Sequence, residues 1–118
     1  MTIDTLQQNW NHYLDAYCDI AIDERERRLR QAVTEDVVFT GQNKDGQGFH
    51  SLVEHIGEFQ KKSPGAYFKS NKLLRQQRQL LSKWTLYKED GSEIANGHTY
   101  ARFNEQERLT HVARLFEV

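Results

Sequence analysis

Leu80-Leu81-Ser82-Lys83-Trp84-Thr85-Leu86-Tyr87, followed by Glu89-Asp90-Gly91-Ser92 and then Glu93 to Phe103, is the stretch whose reading decides the fold. Two alternating runs rich in aromatic and β-branched residues flank an Asp-Gly pair, the short-range signature of an antiparallel hairpin. Asn104 to Glu107 turns the chain again into Leu109 to Val118, so the final strands form a meander. Alternation places Thr99, Ala101 and Phe103 on one face and His98, Tyr100 and Arg102 on the other. Just upstream, Tyr67 to Gln79 has few apolar residues but no breakers, and reads as a long, twisted, partly exposed strand or two strand pieces.

The N-terminal half has a different period. Leu6, Trp10, Tyr13, Leu14, Tyr17, Cys18 and Ala21 recur at three- and four-residue steps, which is one face of an amphipathic helix. Asp23 with Glu26 three residues on has the pattern of an N-cap and capping box, opening a second helix that carries Leu29, Ala32 and Val33 inward and Glu24 to Arg28 outward. Val37-Val38-Phe39-Thr40 reads as a strand ended by Gly41, and Gly46 and Gly48 as a loop. Leu52, Val53, Ile56 and Phe59 restore helical spacing until Ser63-Pro64-Gly65 stops it. About three helices ahead of a run of strands define an α+β class, with the helices segregated to one face of the sheet.

At 118 residues the chain has the size of a single domain spanning 1–118. Sixteen basic and seventeen acidic residues are interspersed and sum to −1. That balance points away from nucleic acid and from a membrane surface. A single cysteine, Cys18, allows no internal disulfide, and no apolar leader follows a basic start, so the expected compartment is the cytoplasm. No run approaches the roughly 18 apolar residues of a membrane span.

Several residues in order resemble the SnoaL-like branch of the NTF2-like superfamily, which includes ketosteroid isomerase and polyketide cyclases. They are Trp10, Tyr13 and Ala16; Asp23 and Arg27; Asp36-Val37-Val38-Phe39; Gly48, Leu52 and Ile56; Phe59-Gln60 before Pro64-Gly65; and Phe68, Trp84, Gly91, Gly97 and Leu115-Phe116. The resemblance implies a cone, with about three helices packed on a bent antiparallel or mixed sheet, and a homodimer through the sheet's outer face. It also implies polar pocket positions, and here three of them are changed. Gly41-Gln42 stands where relatives commonly carry Asp-Pro, Gln76-Gln77 where the branch often has two histidines, and Thr99 where a carboxylic acid enters the pocket. A base and a protonated acid are what ketosteroid isomerase chemistry requires, and Gly41 offers no side chain for the first.

What remains for the concave side is aromatic: Trp10, Tyr13, Tyr17, Phe39, Phe59, Phe68, Trp84, Phe103 and Phe116, joined by Gln77, Thr99, Val112 and Arg114. Such a set either lines an apolar ligand site or packs the core. Tyr13 and Trp84 are expected to reach the cavity, because their polar atoms need partners. Arg114 shares a face with Val112 and Phe116, so it either recognises an anion or escapes to the rim and pairs with a carboxylate such as Asp15. His50 and His55 are five apart, which is not a helical metal pair, and no metal or cofactor is expected. His98 and His111 fall on the outer face by parity, and Cys18 on the inner helix face as an inert thiol. Two functions follow as expectations. One is a pocket for a small hydrophobic or weakly anionic molecule, in a binding protein or in an isomerase-, cyclase- or hydrolase-like enzyme without the usual pocket Asp. The other is a non-catalytic dimeric interaction module working through the outer sheet face.

Overall fold

The computed structural model describes residues 5–41 and 44–117. The element order is α1 (Thr5–Asp15), α2 (Ile22–Ala32), β1 (Val33–Thr40), β2 (Asp45–Gln47), α3 (Phe49–Lys62), β3 (Tyr67–Gln76), β4 (Gln79–Tyr87), β5 (Glu93–Phe103) and β6 (Leu109–Phe116). The six strands form one mixed sheet in the order β2-β1-β6-β5-β4-β3. Only the β1–β6 pair is parallel.

The C-terminal meander follows from alternation and turn chemistry. In β4 the residues Leu80, Ser82, Trp84 and Leu86 are buried, and in β5 Gly97, Thr99, Ala101 and Phe103 are, so each strand shows one face to the core. Gly91 takes a positive φ of 88° in the Asp-Gly hairpin, a conformation glycine adopts without cost. Register then sets the site: Trp84 pairs with Gly97, Ser82 with Thr99, and Thr99 with Arg114. On the far side of β6, Thr40 pairs with Ala113, which brings Gly41 beside Arg114 although 73 positions separate them in sequence.

Several expectations are corrected. The first helix ends at Asp15, so Ala16 to Ala21 connect it to α2 and Cys18 is half-buried in that connection. Its thiol is pushed up by burial, with Asp15 adding to the effect. Asp23 does not cap α2: Ala21 occupies the cap position without a side-chain bond, and the Asp23 carboxylate accepts from the adjacent Glu24 N–H. Arg25 ties the connection before α2 to the helix instead. That residue belongs to a charge run expected to face solvent, yet it is buried, its Nε donating to the Ala16 carbonyl at 2.9 Å and Nη2 to that of Cys18 at 3.1 Å. The Gly46 segment is a strand, β2, hairpinned onto β1, because the Phe39 ring lies where a side chain at position 46 would stand, 2.3 Å from its Cβ site.

Candidate functional site

The inner face is built around Gly97. A Cβ there would meet the Leu115 carbonyl oxygen and the Trp84 ring, each at 2.5 Å, so only glycine lets the indole lie against β5. Trp84 is then fixed from three sides. Its Nε1 donates to Thr99 Oγ1 at 2.9 Å, and Phe68 and Phe116 meet it edge-on at 4.8 and 5.1 Å between centroids. Thr99 occupies the position at which the sequence resemblance implies an acid, and its hydroxyl is spent on the tryptophan.

Above Trp84 the helices contribute tyrosines. Tyr13 and Tyr17, one turn apart, share a hydrogen bond between hydroxyls at 3.1 Å. Burial pushes the Tyr13 hydroxyl well above its ordinary range, with Tyr17 reinforcing it and Arg114 opposing. Gln60 of α3 ties down the backbone here, its side-chain amide donating to the carbonyls of Tyr17 and Ala66 and accepting from Gly65 N–H. The polar atoms of Tyr13 and Trp84 therefore find their partners in Tyr17 and Thr99 rather than in an open cavity. The space bounded by Tyr13, Leu14, Tyr17, Phe68, Trp84, Thr99 and Arg114 has no room for a water molecule.

Arg114 closes that space from above and points inward, one of the two courses that its parity with Val112 and Phe116 leaves open. Its Cζ lies 4.6 Å from the Tyr17 ring centroid, 5.0 Å from Phe68 and 6.0 Å from Phe59, an aromatic cage for a cation. Burial works against its charge, but the Tyr17 and Tyr13 hydroxyls outweigh it and its pKa is raised. Among the described residues no carboxylate comes within ion-pair distance of it. Asp15, the expected partner, pairs with Arg28 instead.

On the outer side of Arg114 lies an open cleft of about 530 Å³. Phe59 and Phe116 give it an apolar floor, extended by Leu86, Ile94 and Ala95. Its charged lining is Arg114, Lys44 and Lys62 against the single carboxylate of Glu58. The uncharged polar groups are Ser63 and His55, the latter half-buried, its ring 5.1 Å from Phe39 and its Cε1 and Nε2 both 3.1 Å from where a Cβ on Gly41 would be. Burial lowers the His55 pKa, and Arg114 and Lys44 lower it further while Glu58 opposes them. Each of these effects except that of Glu58 favours the uncharged imidazole.

The other expected site residues divide. Trp10 is fully buried and stacks on Tyr13 at 5.1 Å, with no hydrogen-bond partner for its indole N–H among the described residues. Phe39 and Val112 are core residues paired across β1 and β6. Phe103 is buried at the opposite end of β5, under the Arg75 guanidinium at 5.1 Å. Gln77 is displaced altogether. It occupies the exposed turn between β3 and β4 at φ 56°, because the hairpin reverses there and a turn position cannot line an inner face. His111 is exposed on the outer face, and His98 sits 4.0 Å from Glu117. Sequence reading missed His55, Lys44, Lys62 and Glu58. A signal existed for the first: Leu52, His55, Ile56 and Phe59 follow the i, i+3, i+4, i+7 pattern of the inner face of α3. Among the described residues no three His, Cys, Asp or Glu side chains gather to hold a metal ion, and no helix is long and apolar enough to cross a membrane.

Comparison with solved structures places this architecture. The chain superposes on a candidate isomerase of the SnoaL-like family from Agrobacterium tumefaciens with a TM-score of 0.88 at 20% identity, over 98% of this chain and 100% of that one. An NTF2-like protein of unknown function from Exiguobacterium matches with 0.75 at 11% identity, over 92% and 98%. A candidate polyketide cyclase from Sinorhizobium meliloti matches with 0.73 at 12% identity, over 95% and 99%. The chain therefore has the SnoaL-like NTF2 fold, as its sequence resemblance implies. No protein-family model and no curated protein matches the sequence.

Proposed function

We propose that this chain, a single cone-shaped domain, binds a small carboxylate with an apolar body in the cleft above Arg114. The observation that carries this reading is the caged guanidinium itself: half-buried, held by Tyr17, Phe59 and Phe68, and without a carboxylate partner among the described residues. A half-buried charge that meets ring faces and tyrosine hydroxyls still lacks a counter-ion, which an anion entering the cleft would supply. The planar fork of arginine suits a carboxylate, and the apolar floor suits a hydrocarbon or aromatic tail. With Thr99 engaged by Trp84 and no side chain at Gly41, the acid and base of ketosteroid isomerase have no counterpart at their positions, which favours binding or a different chemistry over that reaction. Calorimetric titration with straight-chain carboxylates from butanoate to octanoate and with 3-phenylpropanoate tests the site. Wild-type protein is expected to bind, and Arg114→Gln to bind roughly tenfold or more weakly. No binding of any acid by wild type, or equal binding by both proteins, overturns the reading.

A second reading concerns assembly through the outer sheet face. Leu81, Tyr100 and Ala113 pair in one row across β4, β5 and β6, and Leu115 beside them is 60% exposed. Such a row favours a homodimer. Sedimentation at micromolar concentration is expected to show a dimer that Leu115→Arg and Arg102→Glu weaken; a monomer counts against it.

A further inference from the structure

The arrangement of His55 around the side-chain gap at Gly41 gives the cleft a second group with chemistry of its own. Gly41 N–H donates to the Lys44 carbonyl at 2.8 Å, closing the β1–β2 reversal, and Thr40 pairs with Ala113 on β6. An imidazole resting on Gly41 is therefore one strand away from Arg114 and shares its cleft. Phe39 backs the ring and Gly41 lies against its Cε1–Nε2 edge, so the ring is held in place rather than swinging freely.

We propose that His55 is the second recognition group of this cleft and takes up a proton as a carboxylate binds, so that the ligand is held between an imidazolium and a guanidinium. The argument is electrostatic and rests on the anion site proposed above. The charged groups facing His55 are Arg114 from β6, Lys44 from the segment before β2, and Lys62 and Glu58 from its own helix. Leu86, Ile94 and Ala95 from β4 and β5 bring none. Burial first, and then three cations against one anion, disfavour a proton on the imidazole. A carboxylate arriving at Arg114 places a negative charge in the cleft that His55 shares, beside two half-buried groups where Coulomb interactions are stronger than in bulk water. That charge cancels the repulsion and rewards a proton on His55, which then donates a charge-assisted hydrogen bond to the ligand. The favoured ligand class is a carboxylate with a further acceptor oxygen, such as a hydroxy acid, an oxo acid or a dicarboxylate, able to engage both groups.

The test is calorimetry of octanoate and of 4-oxopentanoate in HEPES and in Tris, whose ionisation enthalpies differ, at several pH values from about 5.5 to about 8. Net proton uptake on binding is expected to peak between the lowered pKa of the free imidazole and its raised value in the complex and to shrink on both sides, and 4-oxopentanoate is expected to gain over octanoate per carbon atom. His55→Gln is expected to bind about three- to tenfold more weakly with the uptake abolished. Ring-nitrogen NMR supplies a readout without ligand: in Arg114→Gln the His55 pKa is expected to rise. Binding by wild type with no proton uptake at any pH, or uptake unchanged in His55→Gln, overturns this inference and leaves the anion site standing. Failure of wild type to bind either acid overturns both.

Discussion

The Nε2 atom of His55 sits 3.1 Å from the point where a Cβ of residue 41 would be, so the imidazole fills the space that glycine leaves open. Adding that single carbon requires the ring or the Lys44 carbonyl, 3.3 Å away, to give way. The ring is the softer neighbour because it borders the open cleft. Gly41→Ala is therefore expected to push His55 toward solvent and raise its pKa toward the ordinary histidine value, read by NMR titration. Global stability is expected to change by less than about 1 kcal/mol, since alanine also restricts the unfolded chain. An unmoved His55 titration would show that Gly41 does not position the ring.

The lowered pKa of His55 also sets a pH dependence of stability. Burial comes first among its causes, followed by Arg114 and Lys44. A histidine depressed in the folded state binds fewer protons there than in the unfolded chain, whose value is about 6.5. Stability is accordingly expected to fall as pH drops from about 6.5 through the depressed folded value, and to be insensitive to this group at higher pH. Urea unfolding of wild type and His55→Gln between about pH 5 and pH 8 checks it: the variant is expected to lose less stability on the acid side.

Thr99 and Trp84 form a buried pair whose hydrogen bond cannot be replaced by water, since the space between them and the tyrosines is filled. Thr99→Val keeps the shape and removes the acceptor, leaving the indole N–H unsatisfied. A cost of about 1–3 kcal/mol is expected in urea denaturation, largely recovered by Thr99→Ser. Carboxylate binding at Arg114 is expected to survive the loss, because the cleft lies on the other side of the guanidinium.

The strand half of this fold was legible because its signals are local. Alternation from Leu80 to Phe116 and the Asp-Gly turn depend on residues near each other in sequence, and every meander strand lies where they place it. What was illegible depended on pairs far apart. That β2 is a strand is a consequence of the Phe39 ring needing a glycine opposite, and Arg25 looks solvated until the Ala16 and Cys18 carbonyls are seen to converge on it. An unbroken polar run from Tyr67 to Gln79 gives no sign that the strand ends at Gln76 and that Gln77 turns the chain at φ 56°. His55 was weighed only against its neighbour His50, whereas its partners Gly41 and Arg114 come from β1 and β6. Parity with Val112 and Phe116 puts Arg114 on the inner face but leaves open whether it turns inward or escapes to the rim, since the Tyr17, Phe59 and Phe68 rings around it come from other elements.

Gly97 shows how tightly the inner face is fixed. A Cβ there would lie 2.5 Å from the Leu115 carbonyl oxygen and from the Trp84 ring, one of them backbone and the other wedged between Phe68 and Phe116. Neither can retreat without parting β5 from β6 or unseating the core. Gly97→Ala is expected to destabilise by about 2–3 kcal/mol or more, with a shift in tryptophan emission as Trp84 moves. A variant as stable as wild type would mean that the β5–β6 spacing is looser than drawn.

Arg25 links fold to site through Tyr17. Its guanidinium is 7% exposed and donates to the carbonyls of Ala16 and Cys18, which flank Tyr17 in the connection between α1 and α2. Tyr17 in turn forms the nearest wall of the Arg114 cage, at 4.6 Å. Arg25→Met preserves much of the apolar stem but removes the side-chain donor from the Ala16 carbonyl and leaves the Cys18 carbonyl with the Ile20 N–H. A loss of about 2–4 kcal/mol is expected, and octanoate affinity is expected to fall as Tyr17 loosens and the cage opens. Arg25→Lys separates the two effects: a single ammonium reaches one carbonyl at a time, so partial recovery of stability with incomplete recovery of binding is expected. Full recovery of both by lysine would show that the positive charge, and not the fork holding two carbonyls, is what sets Tyr17 against Arg114.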